Sequence, residues 1–326
     1  MKGVLRYLAR RLVFAILLVF IVSSGALLLT RLAPGDFTSE LFGTGVTPEA
    51  IARERARYGL DRPLLEQYTG WLQRASHLDL GVSLMYRRPV GELVRQRAAN
   101  TALLAFVALG VATLVGLPLG IVSGSRPRGV VQAAVRGASL VTLSLPSLLT
   151  SLLFVLVAAR TGWFPIGGML SVDAMEAGWA AWLRDLAWHL PVPVLALALP
   201  VAATLERLQS QAVAEVMTEP FVLAAAARGV PRRRILWRSV LRVAIKPVAS
   251  IYGLVLAGLL SGSFVVEIVT AWPGLGRLMF DALRARDIYL VAGCAVAGSV
   301  FLALGSLLSD LALAVADPRL RDGATP

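Results

Sequence analysis

Leu12–Thr30, LVFAILLVFIVSSGALLLT, lies between Arg11 and Arg31 with no ionisable side chain inside it. A helix needs about 20 mainly apolar residues to cross the ~30 Å hydrocarbon core of a bilayer, and this stretch meets that length. Five more stretches read the same way: Ala98–Ser125, Gly137–Ala159, Leu186–Leu205, Val248–Val266 and Ile288–Ser309. The sequence therefore predicts six spans, with both ends on one side. Composition agrees. The 326 residues are 57% hydrophobic and 16% charged, with a mean hydropathy of +0.72. An average soluble domain is about 45–50% apolar and about 25% charged. Water could not solvate a fold this apolar, which excludes a cytosolic enzyme, a secreted domain and a disordered regulator.

Charge sets the orientation. Lys+Arg is 32 against 20 Asp+Glu, a net +12. In a soluble chain that would suggest nucleic acid. In a membrane chain the better reading is cytoplasmic loops held inside by basic residues, with no nucleic acid bound. Lys2, Arg6, Arg10 and Arg11 precede the first span, and Arg126, Arg128 and Arg136 follow the second. Arg207, Arg228, Arg232, Arg233, Arg234, Arg238, Arg242 and Lys246 follow the start of the fourth loop. Cytoplasmic termini put all three basic segments inside and segment 31–97 outside. The first apolar run is longer than the 7–15 residues of a secretory signal and lacks a small-x-small cleavage site, so it reads as a retained span.

Segment 31–97 reads as a small folded cap. Pro48–Tyr58 and Leu64–Leu72 have helical spacing, and Leu65, Tyr68 and Leu72 share one face. In the fourth span, Pro191, Pro193 and Pro200 each remove a backbone donor. That fits a kinked helix lining a pathway, with Pro200 as a candidate, and equally a bent structural helix.

Catalytic patterns are missing. Neither lysine follows a glycine-rich loop, and there is no HExxH, GxSxG or CxxC. Cys294 is the single cysteine, and His77 and His189 stand apart, so no metal spacing exists. Glu267 and Asp310 sit at span ends, where water reaches them. A proton-driven carrier usually carries ionisable groups deeper in the membrane, so energy is expected from another subunit.

The loop 206–247 is the most informative segment. Thr218 reads as an N-cap, with Glu219 in the positive first turn and Pro220 beside it. Phe221 to Arg228 favours helix, and Gly229 suits the left-handed residue that closes one. Pro231 opens a basic helix through Arg242, and Pro247 starts span five. Small alanines allow another protein's groove to approach closely. The same residues also describe a solvated basic loop.

The run TEPFVLAAAARGVPRRRILWRSVLRVAIKP, Thr218–Pro247, resembles the EAA loop of ABC-transporter permease subunits, most nearly the dipeptide, oligopeptide and nickel importer branch. Ala224, Ala225 and Gly229 match its small residues and glycine, while Leu223 stands where the general motif has Glu. RLAPGD (Arg31–Asp36), YGLDRPLLEQY (Tyr58–Tyr68), LDLGVS (Leu78–Ser83), RRPV (Arg87–Val90), LSLPS (Leu143–Ser147), TGWFPIGG (Thr161–Gly168), FVVEIVTAWPGLGRL (Phe264–Leu278) and DLALAVADPRLR (Asp310–Arg321) resemble the branch's first permease in order and spacing.

The resemblance implies an all-α membrane protein with the type I ABC importer permease fold, six spans and an external cap. It implies a first span and cap over 1–97, a permease core over 98–313 with its coupling loop at 218–247, and a cytoplasmic tail over 314–326. Thr218, Glu219, Phe221, Ala224, Ala225, Gly229, Arg232 and Arg233 would meet an ATPase. Glu267, Trp272, Pro273 and Gly274 would form an external gate, although Glu267 read by itself equally marks a membrane edge. Expected partners are lipid, a second non-identical permease, two ATP-binding subunits holding ATP and Mg, and an external binding protein touching the cap and the loops at 160–185 and 271–287. The chain itself would hold no cofactor or metal and catalyse nothing. A secondary carrier or an intramembrane scaffold is the alternative, and the scarcity of buried charge and of paired polar groups in the spans opposes both.

Overall fold

A computed structural model describes residues 2–32, 38, 47–126, 129–176 and 178–316. Positions 33–36 of the RLAPGD match and 317–321 of the tail match lie outside them, as does most of the expected tail. In chain order the helices are α1 (Lys2–Leu32), α2 (Pro48–Arg57), α3 (Leu64–Ser76), α4 (Val90–Ser125), α5 (Val130–Ser144), α6 (Ser147–Thr161), α7 (Val172–Glu176) and α8 (Trp179–His189). Then come α9 (Pro191–Val216), α10 (Pro220–Ala227), α11 (Arg232–Ile235), a π turn (Leu236–Val240), α12 (Leu241–Ala244), α13 (Lys246–Gly262), α14 (Phe264–Val269), α15 (Leu275–Arg284) and α16 (Ile288–Ala316). Among the described residues, five stretches are long and apolar enough to cross a membrane: Ala9–Thr30, Val90–Ser125, Pro191–Val216, Lys246–Val269 and Ile288–Ser309.

The third expected span is not one rod. Over the stretch read as Gly137–Ala159, α5 and α6 meet at 104°. Pro146 causes the break. It forces the preceding Leu145 out of the helical region, to φ −88 and ψ 122. Pro146 itself then lacks the N–H that would have continued the ladder. The fourth span also moves, from Leu186–Leu205 to Pro191–Val216, because Pro191 is a favourable first-turn residue. The shift carries Glu206 from a presumed flank into the spanning helix.

The chain divides into two compact units. The first contains residues 1–102 and 273–303. Within it α3 buries Gln67 and Trp71. Trp71 packs with Leu27 and Ala292, and Tyr68 and Leu72 flank that contact. Leu65, expected on the same face, is 70% exposed. The i, i+3, i+4 pattern admits two neighbouring stripes, and the indole's large apolar area decides for the one centred on Trp71. Asp287 anchors the turn 81–89. Ser83 Oγ donates to its Oδ2 at 2.6 Å and Met85 N donates to the same oxygen at 3.0 Å, while Leu290 N donates to Oδ1 at 3.1 Å. Burial pushes the Asp287 carboxyl above its ordinary range, and these donors pull against that shift.

The second unit contains 103–272 and 304–326. Its core seam is the parallel contact of α4 with α9. A Cβ on Gly116 would sit 2.5 Å from Ala202 O, one on Gly120 2.7 Å from Glu206 O, and one on Gly124 2.4 Å from Ser210 O. Glycine every fourth residue lets two backbones meet, as small residues do in membrane helix pairs. Gly253 and Gly305 allow a similar approach of α13 to the end of α16, against Ser309 and Ala257. Elsewhere the helices of this unit leave apolar side chains exposed, such as Leu114 and Leu152.

The seam is testable. Gly124→Ala should lower the thermal midpoint and the folded yield in detergent despite alanine's better helix propensity. Gly110→Ala, where a Cβ meets nothing within 4 Å, should leave both unchanged or slightly raised. Equal midpoints for the two variants would contradict the close approach.

Candidate functional site

The basic loop closes on the lower half of α9. Thr218 does not cap α10 as expected. Its hydroxyl donates to Glu215 O at 2.7 Å, finishing α9 instead. Glu219 holds the N-cap position with extended backbone at φ −67 and ψ 145, because Pro220 takes the first helical position. Gly229 closes the helix at φ +79, the left-handed conformation its lack of a Cβ permits.

One face of α10 is inward. Val222 and Ala225 pack into a cluster with Ala212, Val213 and Val216 of α9 and Ile235, Val240 and Ala244 beyond, with Ile121 of α4 against it. Ala225, expected on the outer surface, is therefore turned into its own chain; four consecutive alanines cannot reveal which one faces in. Phe221 and Leu223 are exposed at 42% and 61%, and Ala224, Ala226 and Ala227 are exposed beside them. Arg232 does not merely add charge. Its guanidinium donates to Ser125 O at 2.5 Å, placing a cation on the electronegative C-terminus of α4. Arg233 is exposed.

Just above this socket, α4, α5 and α9 converge on one carboxylate. Ser123 Oγ donates to Glu206 Oε1 at 2.6 Å and Ser139 Oγ donates to Oε2 at 2.7 Å. Glu206 is buried. Gln209, one turn further along α9, is fully buried, and neither of its amide atoms has a hydrogen-bond partner among the described residues. Reading Glu206 as the edge of an uncharged run hid this cluster. The signal was the spacing of Ser123 from Gly120 and Gly124, which puts its hydroxyl on the seam.

The gate candidates separate. Pro200 lines a cavity of about 280 Å³ with Ser147, Leu197, Thr204, Val255 and Gly258. Its walls are almost entirely apolar side chains. Glu267 does not face water: it is fully buried at the end of span five, and Ser263 Oγ donates to its Oε1 at 2.8 Å. Trp272 is fully buried too. The position of Glu267 in sequence marked a membrane edge, but α14 turns it into protein. The turn between α14 and α15 is tight, with Ala271 at φ +53. Gly167 lies so close to it that a Cβ would be 2.5 Å from Thr270 O. Pro273 O accepts from Asn100 Nδ2 at 2.8 Å, and Leu275 N donates to Thr101 Oγ1 at 2.8 Å. Gly274 stands between them as the N-cap of α15. Among the described residues no group of three His, Cys, Asp or Glu could hold a metal ion.

Apolar helices of spanning length, a small-residue seam, an apolar cavity and a short helix outside the spans with exposed apolar side chains make this a polytopic membrane component. The chain belongs to the family described as binding-protein-dependent transport system inner membrane component, whose model matches residues 116–322. The N-terminal model of the same membrane components matches residues 4–105. The chain is 29% identical to the oligopeptide transport system permease protein AppB of Bacillus subtilis (strain 168), over 96% of this chain and 98% of that one. It is 33% identical to a putative peptide transport system permease protein of Brucella abortus (strain 2308), over 96% and 98%. It is 31% identical to a probable peptide ABC transporter permease protein of Sinorhizobium fredii (strain NBRC 101917 / NGR234), over 97% and 99%. An inward-facing structure of the MetNI methionine ABC transporter aligns with a TM-score of 0.49 at 17% identity, over 72% of this chain and 97% of that one. The chain is thus a multi-pass inner-membrane permease of an ABC importer, a class that works with an ATPase and a substrate-binding protein.

The inward face of α10 gives a direct check. Ala225→Leu should destabilise the chain by about 1–3 kcal/mol, the usual cost of overpacking a full core. Ala224→Leu, on the exposed face, should stay within about 0.5 kcal/mol of the parent, as surface changes do. Thermal or denaturant unfolding in detergent reads both, and equal effects would contradict the assigned faces.

Proposed function

We propose that this permease forms half of a translocation pathway for peptides, pairs with a second, non-identical permease, and passes the motion of two ATPase subunits through α10. The observation that carries this reading is the uncovered Phe221, Leu223 and Ala224 on a helix whose other face is seated on α9. An apolar patch held outside the spans on a rigid socket suits a protein groove, since exposed apolar patches mark interaction sites. The coupling set is accordingly Phe221, Leu223, Ala224, Ala227 and Arg233, with Thr218, Glu219 and Gly229 shaping the helix ends and Ala225 and Arg232 fixing it to the chain. ATP and Mg belong to the ATPase partners.

The names of the permeases in Bacillus, Brucella and Sinorhizobium support peptides as the solute. The apolar cavity beside Pro200 supports a pathway segment there, since Gly258 leaves open space on its wall. The arginines flanking the spans support cytoplasmic termini and an external cap, to which a binding protein would bring solute. The expected domain division, with a core over 98–313, is kept as part of this reading. Glu267 and Trp272 then support the turn from inside the protein, while Pro273 and Gly274 form it.

In proteoliposomes carrying the ATPase pair, Ala224→Trp should abolish uptake and binding-protein-stimulated ATP hydrolysis while membrane insertion persists. Near-normal uptake would sink the docking reading. Cysteine labelling from outside intact cells should reach position 171 but not 239; labelling at 239 would invert the orientation.

A further inference from the structure

We propose that Glu206 is a positioning residue, a hydrogen-bonded latch that makes α4, α5, α9 and the α10 socket move as one body; this rests on the docking reading above. Three observations converge on it. Glu206 is buried in a spanning helix, and its two carboxylate oxygens accept from hydroxyls on two different helices, Ser123 of α4 and Ser139 of α5. Its contacts among the described residues include no cation. A buried carboxylate without a countercharge is costly in hydrocarbon, so it persists where its oxygens are needed as acceptors. Each helix has one donor and one oxygen, and losing the central residue breaks both ties at once.

The second observation is location. Glu206 lies on α9 shortly before Ala212, Val213 and Val216, the residues that seat Val222 and Ala225 of α10. A push on α10 reaches α9 through that apolar socket and reaches the latch along a continuous helix. The third is what each tied helix leads to, although α5 also packs along α9. α4 is also held to the loop by Arg232 on Ser125 O and to α9 by the glycine seam. α5 has Ser139 as its hydrogen-bonded tie to Glu206, and it leads through the Pro146 bend into α6, whose first residue Ser147 lines the apolar cavity. The latch therefore links ATPase-driven motion of α10 to the element that borders the cavity.

The latch needs acceptors and donors, not charge. Gln in place of Glu206 can accept from Ser123 with its oxygen and donate to the Ser139 hydroxyl with its amide, whereas Ala can do neither. Spin labels at positions 140 and 227, on the full chain in nanodiscs with Cys294→Ala, report the distance between α5 and α10. The parent and Glu206→Gln should give one narrow distance. Glu206→Ala should give a broadened or second distance, and Glu206→Ala with Ser139→Ala should be no broader than Glu206→Ala alone. With ATPase bound, Glu206→Ala should cut the binding-protein stimulation of ATP hydrolysis by roughly thirtyfold, the factor that two ordinary hydrogen bonds represent, while basal hydrolysis and ATPase co-purification persist. A narrow parent-like distance in Glu206→Ala, or a Glu206→Gln as broad as the alanine variant, would overturn the latch. Failure of the ATPase to bind the parent chain would instead overturn the docking reading, and the distances on the chain alone still decide the latch.

Discussion

The backbone contact of α4 with α9 at Gly116, Gly120 and Gly124 is the constraint on which the second unit is built. In hydrocarbon no hydrophobic force drives helices together, so close van der Waals contact must do so. Because the two backbones run parallel and touch, side chains between the glycines are forced into register. Ser123 meets Glu206, Ile121 meets the α10 cluster, and Ser125 O meets Arg232. Larger residues at the glycines would open the seam and lose all three together.

That seam also holds a polar cluster inside an otherwise apolar unit. Hydroxyls and a carboxylate are kept where three helices cross, while α1 leaves many of its apolar side chains exposed. The same logic explains α10. Its Val222 and Ala225 are satisfied by the chain's own cluster, and its Phe221 and Leu223 stay exposed.

Much of this was legible in the sequence because lipid imposes simple rules. Among the described residues, five of the six uncharged runs became single spans, Pro220 and Gly229 bounded α10, and the helices starting at Pro48 and Leu64 formed. What was not legible is what depends on three-dimensional neighbours. Pro146 was visible, but whether a proline bends a span slightly or by 104° depends on the surrounding packing. The AAAA run offers no clue to its inward residue. Glu267 and Glu206 look like boundary charges in a one-dimensional reading, and only the helices around them reveal that Ser263, and Ser123 with Ser139, meet their oxygens. Trp71 outweighed Leu65 for the reason that area outweighs periodicity when two stripes compete.

The central claim is that α10 shows one face to its own chain and the other to an ATPase. Photo-crosslinking residues placed singly at 222, 223, 224 and 225 in the assembled transporter test it most directly. The account predicts crosslinks to the ATPase from 223 and 224, and crosslinks within the chain from 222 and 225. Crosslinks to the ATPase from 222 and 225 with none from 223 and 224 would contradict it.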